Sequence, residues 1–132
     1  MRSACITVLL VLAGCATPAG SERSECSAEW LEVPSVAAVP GGVDEQPVPI
    51  ECIERMGNHR LRVGFTLPGG PSCHVVSRVE LLESADAVSI TLVGAVNQDP
   101  NAGACPDEER RLVTEIDLAS PVGDRRLLDG SS

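Results

Sequence analysis

Few side chains in this sequence can do chemistry, and they are widely spread. The histidines are His59 and His74, and the thiols are Cys5, Cys15, Cys26, Cys52, Cys73 and Cys105. A serine, histidine and acid acting together would need a nucleophile held in a local elbow, and the chain has no Gly-x-Ser-x-Gly run. It also lacks a His-Glu-x-x-His pair, a phosphate loop and a dinucleotide fingerprint. His74 follows a cysteine where an alternating segment begins, so the plain expectation is a half-exposed imidazole. An enzyme built on His74 and nearby acids is the alternative. Asn97, Asp99 and Asn101 are spaced by two, and Glu108 lies eleven positions beyond Asn97, an echo of the oxygen-ligand spacing of a calcium loop. Ala102 stands where such a loop needs glycine, and Pro100 stiffens it. Turn-forming residues between strands account for the same letters, so divalent-cation binding through Asn97 to Glu108 is a second alternative only. No catalytic residue, cofactor site or metal site is expected. Asp107, Glu108 and Glu109 beside Arg110 and Arg111 read as a solvated charged patch.

The thiol with the clearest chemical context is Cys15. Arg2 is followed by the apolar run Ile6, Val8, Leu9, Leu10, Val11 and Leu12, and then by Ala13 and Gly14. A positive end, a short apolar stretch and small residues form the layout of a secretory signal. The run is too short for a permanent span, which takes ~20 apolar residues. Leu12-Ala13-Gly14-Cys15 resembles the lipobox of bacterial lipoproteins. The resemblance implies that the Cys15 thiol receives a diacylglycerol group and becomes the first mature residue. Two or more acyl chains hold a protein stably, at ~0.8 kcal/mol per buried methylene. The expected location is the outer face of a cell membrane, with the membrane as a partner through the lipid.

Four cysteines then remain, and an even number in an exported chain predicts two disulfides with three connectivities open. The absence of any Cys-x-x-Cys pair argues against a zinc site. A hairpin that returns the end of its second strand to Cys73 leaves a loop short enough to bring Cys105 back to it. Cys26 would then pair with Cys52 and pin the proline-rich segment.

Hydropathy sets out the scaffold around these residues. Residues 1–14 are the signal, 15–25 a flexible tether of small and polar residues, and 26–130 a small domain. Val33 to Pro49 holds Pro34, Pro40, Pro47 and Pro49, a density that predicts irregular structure, after a short turn near Glu29 to Val33. Period-two alternation then predicts a strand at Leu61 to Leu67, a break at Pro68-Gly69-Gly70-Pro71, and a hairpin of Val75 to Leu82 with Val88 to Val96. A fourth strand is expected at Leu112 to Leu118 and a short fifth at Arg126 to Leu128. The fold class is mainly β: a small antiparallel sheet of four to five strands, stabilised by disulfides.

Composition narrows the partners. Ten basic residues, all arginine, stand against nineteen acidic ones for a net charge of −9, which disfavours nucleic acid. With one Trp, one Phe and no Tyr, stacking platforms are excluded and the core must be aliphatic. The run Pro121-Val122-Gly123-Asp124-Arg125-Arg126-Leu127-Leu128-Asp129-Gly130 is the most distinctive. Together with Ser77-Arg78-Val79-Glu80, Glu83, Val88-Ser89-Ile90-Thr91 and Cys105-Pro106, it is similar to a group of small exported actinobacterial proteins. The similarity spans Leu61 to Gly130, with Val122 in place of an expected leucine. It implies a compact domain with a disulfide joining Cys73 and Cys105, and no particular activity. The expected function is that of a non-enzymatic binding or sensing module, facing an envelope protein, a polymer or a small ligand.

Overall fold

The computed structural model describes residues 18–99, 101, 103–106 and 108–131. Among the described residues there are eight strands: β1 (Ser21–Glu22), β2 (Val43–Val48), β3 (Ile50–Arg55), β4 (Arg60–Pro68), β5 (His74–Glu83), β6 (Ala87–Val96), β7 (Glu109–Asp117) and β8 (Arg126–Asp129). They form two sheets. In one, β4 lies between β3 and β7, antiparallel to both. In the other, β6 is central. One of its edges pairs with β5, while β8 and β2 share the other, against Ala87 to Ile90 and Leu92 to Val96 respectively. The β6–β8 pair is parallel.

The aliphatic core lies between the sheets. Leu61, Val63, Phe65 and Leu67 of β4 face Val88, Ile90 and Leu92 of β6, joined by Ile50, Ile53, Leu112 and Ile116. The alternation that predicted these strands is the pleat itself, which sends every second side chain inward. A smaller cluster covers the outer face of the three-stranded sheet, where Trp30, Cys26 and Val33 pack on Cys52 and Val113. Trp30 packs against Gly64, where a Cβ would come within 2.8 Å of the indole and 2.6 Å of the Cys52 sulfur.

The mainly-β, disulfide-stabilised fold is present, with corrections at its N-terminal side. The expected tether reaches too far. Ser21 and Glu22 pair with β8, the Arg23 side chain meets Asp129 at 3.2 Å, and Arg23 Nε donates to the Ile50 carbonyl at 2.7 Å. Short polar residues gave no alternation by which to foresee a two-residue strand. Val33 to Pro49 is not irregular throughout, because β2 occupies its end as an edge strand that, among the described residues, pairs with β6 alone, a position that tolerates Pro47. β3 was hidden by a bulge between Ile50 and Cys52, which buries Cys52 and Ile53 in succession. The strand total therefore exceeds four to five, and the single antiparallel sheet becomes two sheets with one parallel pair.

The two open sides of this sandwich are closed differently. On one side, residues 34–39 form a strap. Val113 N–H donates to the Pro34 carbonyl at 3.0 Å, and Val36 N–H to the Val113 carbonyl at 2.8 Å. Val39 N–H then donates to the Val76 carbonyl of β5 at 2.8 Å. On the other side, the buried carboxylate of Asp129 accepts from Ile50 N–H at 2.9 Å and from Arg23, tying β8 to β3. Its second oxygen accepts from the N–H and hydroxyl of Ser131 at 2.9 and 2.6 Å.

Candidate functional site

At the end of the sandwich where β4 and β6 both finish, the sheets part around a cleft of about 580 Å³. The chain crosses from one sheet to the other at Pro49, the single residue between β2 and β3, and Pro49 lines the cleft. Pro47, Val48, Leu67, Ala95 and Val96 supply an apolar floor, and Gly94 leaves room beside Val48, whose methyl would lie 2.6 Å from a Cβ. The polar groups at the rim are Asp44, Gln46, Glu51, Thr66, His74 and Glu109. Asp44 sits at the bulge in β2 with φ of 55°, a left-handed conformation rarely adopted by residues other than glycine.

His74 is fixed by its neighbours. The Cys73–Cys105 disulfide, with Cα atoms 5.1 Å apart, staples the start of β5 to the loop after β6. Asn97 N–H donates to the Cys73 carbonyl at 2.8 Å, and Gly69 N–H to the Glu108 carbonyl at 2.8 Å. Gly69 has φ of 70° and abuts Cys73, which explains the glycine in the break that the sequence marked. His74 Nδ1 lies 2.7 Å from the Pro68 carbonyl. A carbonyl only accepts, so Nδ1 carries a proton and donates it to this bond. Thr66 donates its hydroxyl to Glu51. The hydroxyl and a carboxylate of the cleft are thus paired with each other, while the imidazole is held by backbone.

The remaining candidates separate. Cys26 and Cys52 form the second disulfide, with Cα atoms 4.9 Å apart, and secure the segment that carries Trp30. Cys15 lies outside the described residues. His59 is exposed in the turn between β3 and β4, where its carbonyl accepts from Leu118 N–H at 2.7 Å. In the loop after β6, Asn97 Oδ1 accepts from Asp99 N–H and Asp99 Oδ1 from Asn101 N–H, both at 2.9 Å. These oxygens cap the backbone, as turn-forming residues do. Among the described residues, no group of three His, Cys, Asp or Glu side chains converges as a metal site would require. The charged patch divides: Glu109 reaches the cleft, whereas Arg111 pairs with Glu29 at 3.3 Å and lies 5.4 Å above the Trp30 ring.

A second hollow, about 670 Å³, surrounds Arg125. The guanidinium donates to Glu83 at 2.8 Å and to the carbonyls of Ser84, Ser120, Pro121 and Val122. Its donors are consumed in tying the C-terminal turn to the β5–β6 turn, which makes it a structural clasp. Sequence reasoning had singled out His74 but not Asp44, Glu51 or Thr66. They come together from separate strands, and no local spacing announces that. Comparison with protein-family models, with curated proteins and with solved structures finds no match.

Proposed function

We propose that this chain is a membrane-anchored extracytoplasmic lipoprotein whose β domain is a non-enzymatic binding module, with the cleft between the sheets as its binding site. The observation that carries the reading is the cleft itself: an apolar floor with a few polar groups at its rim is the usual make-up of a ligand site. The anchor rests on the Cys15 sequence context, and two disulfides suit an oxidising compartment.

Native mass spectrometry of protein extracted from its own membrane tests the binding module. A retained small molecule is expected in the wild type and not in Gln46→Trp, where an indole on an exposed edge position fills the cleft. Equal retention by both, or by neither, would contradict the assignment.

One observation favours a second reading, an envelope enzyme, since His74, Thr66 and Glu51 all line the cleft. The pairing of Thr66 with Glu51, rather than with His74, supports the binding reading over it.

A further inference from the structure

We infer that the outer face of β5 and β6 around Leu81 and Leu82 lies against the surface of a phospholipid bilayer, held there by a short link to Cys15. This rests on Cys15 carrying the lipid and adds which face of the domain meets the membrane.

The length of the link decides how near the membrane must be. Four peptide steps separate Cys15 from Ala19, so their Cα atoms stand at most ~14 Å apart. A lipid whose acyl chains enter the hydrocarbon core leaves its glycerol at the base of the headgroup layer, and that layer takes up ~5–8 Å of the reach. No slack is gained beyond Ala19, because the domain takes hold of the chain there. The Ala19 carbonyl accepts from the Ser89 hydroxyl at 2.5 Å. Gly20 lies so close to Asp129 that a Cβ would come within 2.1 Å of its carbonyl oxygen, and Ser21 and Glu22 pair with Asp129 and Leu128. The few ångströms left are too short to hold the domain clear of the headgroups.

The surface beside Ala19 suits that contact. Ala19 shares a shallow hollow of about 310 Å³ with Glu80, Leu81, Leu82, Ser89, Thr91 and Gly130. Leu82 and Ser89 are cross-strand partners, so the link leaves the domain one strand away from the leucines. Leu81 and Leu82 are 36% and 38% exposed, whereas the inward-facing Leu61, Leu67 and Leu92 are at most 3% exposed. Among the described residues β5 pairs with β6 alone, so no further strand covers the leucines at this edge. Glu80 is the one charged residue among the described lining of the hollow, and Arg78 meets it at 3.1 Å. No unpaired charge therefore opposes the contact at this spot. The net charge of −9 sets the lipid, since zwitterionic headgroups accept the face without the repulsion that anionic ones would add.

Paramagnetic relaxation tests this on protein extracted from its own membrane, with the intact mass of the same sample reporting the acyl groups on Cys15. The protein is placed in phosphatidylcholine nanodiscs that carry a spin label on the lipid headgroup. Relaxation enhancement should be at least about fivefold greater at the amides of Ala19, Leu81 and Leu82 than at Gly94 to Val96, roughly 20 Å along β6 at the usual rise. Leu81→Gln with Leu82→Gln should lower the enhancement at Glu80 and Glu83 by about twofold or more, with unaltered shifts at Val63 and Ile90 showing that the variant folds. Equal enhancement at both ends of β6, or a maximum at Gly94 to Val96, would overturn the docking face, while an acylated Cys15 would leave the anchor standing. Enhancement unchanged in the double variant would overturn the leucines as the contact. A mass without acyl groups would overturn the anchor, and this inference with it.

Discussion

Asp129 illustrates how far a single side chain can bind this molecule together. Its carboxylate is wholly buried and accepts from Ile50 N–H, Arg23, and the N–H and hydroxyl of Ser131, so one group on the last strand holds the third strand and the residue that follows the first. Asp129→Ala should lower the free energy of unfolding in urea by ~3–5 kcal/mol, because breaking a buried pair leaves its partners without an acceptor. The exposed Arg60 is a contrast. Asp117, through a hydrogen bond and its charge, and then Glu115 raise its pKa, yet the pair is fully solvated and Asp117→Asn should leave the urea midpoint unchanged. Gly64 matters by what it lacks. Gly64→Ala drives a methyl into the Trp30 ring and the Cys52 sulfur, and should cost ~1–3 kcal/mol as overpacking does.

Among the elements, β4 and β6 were legible in the sequence because both are central strands whose inner faces keep a strict alternation, Leu61 to Leu67 and Val88 to Leu92. The hairpin of β5 with β6 and the loop chemistry of Asn97 to Asn101 were legible for the same local reasons. What was not legible is non-local. β1 exists because β8 offers a partner, β2 because β6 has a free half-edge, and β3 slips its pattern at a bulge. The cleft was half legible: His74 stood out by type, while Asp44, Glu51 and Thr66 owe their role to where strands end. The Cys73–Cys105 bridge is the staple of this end of the molecule. Replacing both cysteines by serine should remove ~3–4 kcal/mol of stability on the chain-entropy model. Amide exchange should quicken at His74 to Val76 and after Asn97, and stay unchanged at Val63.

At the scale of the molecule, the N-terminal segment and the cleft lie towards opposite ends of β6. The Ala19 carbonyl accepts from the Ser89 hydroxyl, whereas the cleft is lined by Gly94 to Val96, roughly 20 Å along the strand at its usual rise. A domain tethered at the Ala19 end would hold its acidic cleft away from the bilayer, open to the envelope. Among the described residues no helix is long and apolar enough to cross a membrane. The proposed anchor, the lipid on Cys15, rests on the sequence around that cysteine alone. On this proposal the domain is held outside by that lipid and locked by oxidation. The measurement that tests it most directly is the intact mass of protein extracted from membranes, read with and without reduction. The account predicts a chain beginning at an acylated Cys15, heavier by two disulfides' worth of hydrogen after reduction. A chain still carrying residues 1–14, with every thiol free, would contradict it.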